Sequence, residues 1–351
     1  MASRTRSVLV TAVLLAALVG CGTEDGPGAA SPPAGTAASP PTGSSPAGAA
    51  TFTNPVYAEN FPDPGVLRAG GTYYAYSTNT SAENVPTLTS PDLVTWTDGP
   101  DALPDVGSWA VGGNTWAPEV IGAGGRYLLF YTARSIATGR QCIGRAVARA
   151  PGGPFRDPDR EPFVCEVGEG GSIDASPFRD GDGTLYLYWK NDGNCCGKPV
   201  NLYGRALSAD GMRLVGPRRS LLTNTKPWQG NLVEAPEMVR RGGGHVLFYS
   251  ANGYDSDRYA MGYATCRSAL GPCTDGPGPV LRSTAEAAGP GHGYVVTAPD
   301  GGTWLLYHAW PPQAIGSTLP GRQLWLDRID WDGTRPVVRG PTATPQPVPA
   351  G

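Results

Sequence analysis

The 351-residue chain is poor in the features that mark several large classes of protein. Beyond its first twenty or so residues no long segment carries a 3.6-residue apolar period, which leaves an all-β fold rather than a helical one. Basic and acidic residues nearly balance, 27 against 30, and no Lys/Arg run follows the few at the extreme N-terminus, so nucleic acid is not an expected partner. A C-x-x-C or His-rich pattern is missing, which argues against a zinc site. One apolar run stands out, Val8 to Val19, and it is too short to span a bilayer as a mature helix.

What the chain does have is a repeat. Trp116-Ala117-Pro118-Glu119-Val120 returns, with two substitutions, as Glu234-Ala235-Pro236-Glu237-Met238. Asp63-Pro64-Gly65-Val66-Leu67, Asp174-Ala175-Ser176-Pro177-Phe178 and, more loosely, His292-Gly293-Tyr294-Val295-Val296 fit the same register. Each copy is followed by a Gly-containing turn and an aromatic-rich run, such as Gly124-Gly125-Arg126-Tyr127-Leu128-Leu129-Phe130-Tyr131, and two β-runs about such a turn read as a hairpin. A repeat of about 40 to 60 residues made of short strands marks a β-propeller, one blade per repeat. Five copies predict a five-bladed propeller, a single domain over residues 51–339.

If the five leading residues are equivalent, Asp63, Trp116, Asp174, Glu234 and His292 face one another around the axis. Three carboxylates crowded at one mouth push their pKa values apart, an arrangement that marks functional sites. Asp63 alone would read as an Asp-Pro turn residue; its place in the register makes it a candidate. Carboxylates with an aromatic platform suit glycoside hydrolysis: one activates water, one protonates the leaving oxygen, and Trp116 offers a flat face to a sugar. Carboxylates facing across a propeller mouth would leave the gap of about 6.5 to 9.5 Å that admits water, which favours inversion. Glu119 and Glu237 repeat each other and read as structural, since three residues along an extended strand place Glu237 on the face opposite Glu234.

From about Asn54 to Val338 the chain resembles glycoside hydrolase family 43, the arabinanase, arabinofuranosidase and xylosidase group. The matching motifs are Asn54-Pro55-Val56 with Phe61-Pro62-Asp63-Pro64, Trp116-Ala117-Pro118-Glu119-Val120, Ile173-Asp174, Val233-Glu234-Ala235-Pro236 and Gly289-Pro290-Gly291-His292. The resemblance implies Asp63 as general base, Glu234 as general acid and Asp174 as the carboxylate that orients the acid. It implies that Arg322 reaches the substrate and that His292 helps hold a hydrated metal, often calcium, in the central channel, while the chemistry needs no cofactor. A lone His is a poor calcium ligand, because hard cations want oxygen. Trp228, just before the acid strand, is a further candidate for the sugar-binding wall, with Lys190 and Asn191 after the third hairpin. Arg156-Asp157-Pro158 matches a motif of the invertase-like five-bladed enzymes by letters only. The expected activity is hydrolysis of α-L-arabinofuranosyl or, second, β-xylosyl linkages in arabinan, arabinoxylan or their oligosaccharides, by a monomer, with endo-arabinanase a further alternative within the family and exo or endo action left open by the residue types. A non-catalytic carbohydrate-binding propeller is the alternative of another class.

The N-terminus suggests export. Arg4 and Arg6 precede the apolar run, and Leu18-Val19-Gly20-Cys21 resembles the lipobox of bacterial lipoproteins, which makes residues 1–21 a signal with Cys21 as the lipidated residue. Residues 22–50 are almost entirely Gly, Ala, Ser, Thr and Pro, a tether that cannot bury apolar surface. The expected location is the outer face of the cell membrane, held by the lipid alone, or the medium. Residues 340–351 form a Pro-rich tail expected to be disordered. Six further cysteines suit an exported chain. Proximity pairs Cys142 with Cys165 and Cys266 with Cys273, leaving Cys195 and Cys196 to form a vicinal bridge or stay reduced.

Overall fold

A computed structural model describes residues 50–349; the signal, Cys21, the tether up to residue 49 and the last two residues lie outside the described residues. Five antiparallel sheets are arranged as the blades of a propeller, each a meander running outward from the axis. Their innermost strands are Gly65–Ala69, Ala110–Ala123, Ser172–Arg179, Val233–Arg241 and Ala288–Thr297. Each lies against the next, and the fifth returns to the first. Four blades have four strands; blade two has three, supplemented by isolated bridges from Ile143 to Val164 and from Val147 to Arg156.

The aromatic runs of the sequence are the second strands. Arg126–Ser135, Leu185–Asn191, Gly244–Ala251 and Thr303–Trp310 are packed on both faces, which is why they read as continuous apolar stretches rather than alternating ones. Their side chains form five apolar clusters, one between each pair of neighbouring blades. Tyr76, Leu129 and Tyr131 join blades one and two, and Leu306, Trp304 and Val66 join blades five and one. Each large side chain so buried contributes about 1.5 to 3 kcal/mol, so the ring is held by sheet-on-sheet packing between blades. Outer strands carry charge instead: Leu214–Thr223, at the edge of blade three, exposes Arg219 and carries the half-buried, ion-paired Arg218, the kind of edge that resists pairing with other chains.

Ring closure comes from the N-terminal segment. Tyr57 pairs with Leu324, Asn54 exchanges hydrogen bonds with the backbone of Leu326, and the Phe61 amide donates to the Arg322 carbonyl at 2.8 Å. Thr51–Phe52 forms a two-stranded ladder with Gln346–Pro347. This corrects the expectation for the tail: residues 340–349 are ordered, because Gln346 is buried on the Leu326 carbonyl and the Thr342 carbonyl accepts from Asn54. Pro-rich composition limits internal hydrogen bonding but leaves a segment free to pair with a strand that needs a partner.

Three disulfides are present: Cys142–Cys165, Cys266–Cys273 and Cys195–Cys196. The first ties the third strand of blade two to the segment bridging it, and the second fastens the outermost strand of blade four at a directly paired position.

Four of the inner strands share one irregularity. Ala117-Pro118 in blade two, Asp174-Ala175 in blade three, Ala235-Pro236 in blade four and His292-Gly293 in blade five are pairs of residues opposed by one residue on the second strand, namely Tyr131, Trp189, Tyr249 and Tyr307. These are β-bulges, which re-aim side chains. The first bulge residue has positive φ in each, 44° at Ala117, 56° at Asp174, 51° at Ala235 and 47° at His292, and Asp63 matches them at 54° in blade one. The five leading residues of the repeat are therefore not equivalent. Asp174 and His292 are bulge residues and Asp63 shares their positive φ just before its strand, whereas Trp116 and Glu234 each precede a bulge and share their position with Ile173 and Gly291.

The bulge also corrects the reading of Glu237. With one residue looped out, Glu234 faces Ser250 and Glu237 faces Phe248, partners two apart, so both glutamates lie on the same face with Glu237 one rung deeper. Glu119 is its counterpart in blade two, opposite Phe130. Gly65 holds the same rung in blade one, where a Cβ would strike the Pro118 carbonyl and the Glu119 side chain; only glycine lets these two inner strands approach so closely.

Candidate active site

Loops between the second and third strands of the blades open at the same end of the ring as the bulges. Together they enclose a cavity of about 450 Å³ lined by Asp63, Trp116, Asp174, Glu234, His292 and Arg322, with Thr78, Lys190, Asp192, Asn194, Cys195 and Tyr254 among the other walls. Seven of the predicted residues, Lys190 included, thus meet in one place. Trp228 does not: it stacks on Tyr249 with ring centroids 5.9 Å apart and packs over Gly262, because the short turn Pro227–Gln229 carries it outward into the seam between blades three and four. Asn191 is buried beside the cavity, where its side chain ties together the loop that follows.

A chain of hydrogen bonds between blades fixes the bulges. The bulge amide of each blade is accepted by a side chain of the blade before it: Ala117 N by Thr78 Oγ1 at 3.0 Å, Asp174 N by Thr132 Oγ1 at 3.3 Å, His292 N by Ser250 Oγ at 2.8 Å and Asp63 N by His308 Nδ1 at 3.1 Å. Blade three breaks the pattern, since the residue at the place of Thr132 and Ser250 is Lys190, which can only donate. There the Ala235 amide is accepted by Asp174 Oδ2 at 2.9 Å, and Lys190 is free to donate from Nζ to Glu234 Oε2 at 3.0 Å. One substitution on a second strand thus links Asp174 to the backbone just after Glu234 and supplies a buried cation to Glu234. Its other oxygen, Oε1, accepts from the Tyr259 hydroxyl at 2.8 Å.

Asp63 is held as an anion. Burial alone would push its carboxyl up, but Arg322, whose Nη1 lies 2.5 Å from Oδ1, His292 and the Thr78 hydroxyl at 2.6 Å from Oδ2 outweigh it and keep the carboxyl well below the ordinary carboxylate range. Burial dominates at His308, which is kept neutral, in line with Nδ1 accepting the Asp63 amide. Asp174 goes the other way: burial and the nearby Glu234 push it up to about 6, against the opposing influence of His292 and Lys190. Two aspartates of one cavity are therefore set apart by their neighbours, the pattern expected where one must stay ionised and another hold or pass a proton.

The sequence reading missed Thr78, Tyr259, His308 and Tyr254. The first three act on Asp63 or Glu234 from loops or second strands, where an isolated Thr, Tyr or His gives no signal. Tyr254, half exposed at the rim, stacks over the Arg322 guanidinium, whose Cζ lies 4.7 Å from its ring centroid. Glu119 and Glu237 are outside the cavity, in the channel beneath it: Ser176 Oγ donates to Glu237 Oε2 at 3.0 Å. Asp157 of the Arg-Asp-Pro triplet accepts from the Tyr131 hydroxyl at 2.6 Å and the Trp109 indole at 3.1 Å, a packing role remote from the cavity.

Calcium prefers six to eight oxygen ligands. Around His292 the Asp63 carboxylate is already committed to Arg322 and Thr78, and among the described residues no group of three or more His, Cys, Asp or Glu side chains gathers in a metal-holding arrangement. The described side chains around His292 do not by themselves supply the oxygen shell of a calcium ion.

The family model for glycosyl hydrolases family 43 matches residues 52–335. The chain is 29% identical to the probable arabinan endo-1,5-α-L-arabinosidase A of Aspergillus flavus over 80% of this chain and 91% of that protein. It is 28% identical to the β-D-galactofuranosidase xynD of Aspergillus niger over 73% of this chain and 75% of that protein. Among solved structures, a thermostable family-43 glycoside hydrolase superposes with a TM-score of 0.78 at 30% identity, covering 86% of this chain and all of that one. With these matches and this propeller, the chain belongs to glycosyl hydrolases family 43 and is a glycosyl hydrolase.

Proposed function

We propose that this glycosyl hydrolase cleaves α-L-arabinofuranosyl linkages of plant cell-wall polysaccharides or their oligosaccharides with inversion, with β-xylosyl linkages as the second reading. The observation that carries the chemistry is the meeting of two carboxylates in one cavity: Asp63, held as an anion by Arg322, on blade one, and Glu234, with Lys190 and Tyr259 on its two oxygens, on blade four. Asp63 takes a proton from water as its oxygen attacks the anomeric carbon. The bond from that carbon to the leaving oxygen breaks, and Glu234 gives that oxygen its proton. The glutamate left behind is stabilised by Lys190 and Tyr259 in a water-poor setting, where fixed donors act most strongly. Asp174 holds the Ala235 amide and thereby the direction of Glu234, and Trp116 offers a face to the sugar ring.

The arabinose reading is favoured by the arabinosidase relatives. The galactofuranosidase relative widens the test, since α-L-arabinofuranose and β-D-galactofuranose share their ring configuration and differ in an exocyclic carbon. A panel of aryl α-L-arabinofuranoside, β-D-xyloside and β-D-galactofuranoside, with Asp63→Asn and Glu234→Gln alongside, decides it. Turnover of the arabinofuranoside by wild type and its loss in both variants is expected; no turnover of these glycosides, arabinan or xylan would overturn the reading. Proton NMR of the first-formed anomer tests inversion.

The chain is further proposed to be exported and lipidated at Cys21, a reading supported by the basic start, the apolar run and three cystine bridges. Full-length protein partitioning to membranes, with release by Cys21→Ser, is expected; equal partitioning of the two would overturn it.

A further inference from the structure

One group in the cavity wall has no part in the chemistry above. Cys195 and Cys196 are bonded to each other on the turn Gly193–Cys196, which follows the strand bearing Lys190. Cys195 is exposed and lines the same cavity as Glu234, with Asn194 and Asp192 beside it.

The turn is rigid without the bridge. Lys198 N donates to the Gly193 carbonyl at 2.9 Å, Asn191 Nδ2 donates to the carbonyls of Pro199 at 2.9 Å and Glu169 at 3.1 Å, and Asn191 Oδ1 accepts the Asn201 amide at 2.7 Å. A Cβ at Gly193 would collide with the Pro199 carbonyl, so this backbone is closely packed as well. Nor does a bridge between neighbours stabilise the fold as the others do. A disulfide acts mainly by closing a loop in the unfolded chain, and the effect grows with loop length. Cys142–Cys165 closes a separation of 23 residues, Cys195–Cys196 a separation of 1.

What the bridge does supply is a compact, polarisable surface with no thiol hydrogen, with Arg140 Nη1 on one side of it, 2.7 Å from Cys196 Sγ and 3.6 Å from Cys195 Sγ. The C–H face of a sugar gains dispersion contact on such a surface. Position assigns the sugar: the turn extends the strand of Lys190, the partner of Glu234, and Glu234 is the residue read as protonating the leaving oxygen. We propose that the Cys195–Cys196 disulfide is a platform for the sugar on the leaving-group side of the cleaved bond, and so helps to set the preference for oligosaccharides. The proposal rests on the reading of Glu234 as the acid.

The test compares arabinotriose with α-L-arabinofuranosyl fluoride, whose single-atom leaving group cannot reach the platform, in wild type and in Cys195→Ala/Cys196→Ala. The ratio of kcat/KM for the trisaccharide over that for the fluoride should fall about tenfold, the equivalent of about 1.4 kcal/mol of contact, chiefly through KM. Lys198→Ala, on the same loop but outside the cavity lining, keeps the bridge and should retain more than half of the wild-type ratio. Equal losses on both substrates in the double variant would mean that the bridge only shapes the loop, and an unchanged ratio would mean that no sugar touches it; either overturns the proposal. If wild type turned over neither compound, the glycosidase reading would fail separately. Calorimetric titration of arabinotriose would then still decide the platform, by a tenfold weaker Kd in the double variant or by none.

Discussion

Replacing Arg322 by Met tests how Asp63 is kept ionised. The two charged groups meet at 2.5 Å with both side chains nearly buried, and at an effective dielectric of about 20 that separation corresponds to about 7 kcal/mol of attraction. Removing one partner of a buried pair costs less than this in practice, about 3 to 5 kcal/mol, because water and neighbouring donors adjust. Here His292 and the Thr78 hydroxyl remain on Asp63. At about 1.4 kcal/mol per pH unit, the acid limb of the kcat/KM profile should move up by about 2 to 4 pH units. The direction follows from burial, which pushes the Asp63 carboxyl up and is opposed most strongly by Arg322. Arg322→Lys retains charge but loses the planar fork, and should fall between wild type and Arg322→Met. A stability measurement supplies an independent check. A carboxyl held below its unfolded value of 3.8 stabilises the fold above that pH and ceases to do so as pH falls through the folded value. The denaturant midpoint of Arg322→Met should therefore lie furthest below wild type above pH 4 and approach it in stronger acid. An acid limb that stays within one pH unit of wild type, in a variant that folds, would refute the assignment of Arg322 as the group that keeps Asp63 anionic.

Three further substitutions probe parts outside the cavity or at its wall. Burial pushes Glu237 up to about 8, and burial together with Glu237 pushes Glu119 well above its ordinary value, so the folded protein retains protons that the unfolded chain releases. Stability should therefore decline as pH rises from about 4.5 to about 8, and Glu237→Gln should flatten that decline; urea midpoints at pH 5 and pH 8 that change equally in wild type and variant would contradict it. Trp116→Ala should raise KM about tenfold, whereas Trp228→Ala should lower stability by about 3 kcal/mol with KM within twofold of wild type, and a substrate effect at Trp228 would mean that it reaches the cavity after all.

The five blades were legible because each inner strand carries a near-copy of one motif and each second strand is buried on both faces, leaving an unbroken aromatic run. Asp63, Asp174 and Glu234 could be picked out for the same reason: they are acidic residues at or beside a repeated position. The partners Thr78, Tyr259 and His308 were not legible, since each is brought in from a loop or a second strand, far away along the chain. Trp228 shows the reverse error, in which nearness in sequence to Glu234 suggested a nearness in space that the turn at Pro227 removes.

The repeat Ala-Pro-Glu shows where the boundary lies. Residue types along the chain are enough to place strands, count blades and nominate carboxylates, because burial and periodicity act locally. They do not say which way a side chain points at a bulge. That depends on a positive φ stabilised by an acceptor on the neighbouring blade, such as Thr132 beneath Asp174 or Ser250 beneath His292, and on the exception at Lys190. Only when the ring closes do these acceptors meet the amides they serve, so the offset between Asp174 and Glu234, and the return of Glu237 to the channel, are properties of the tertiary structure.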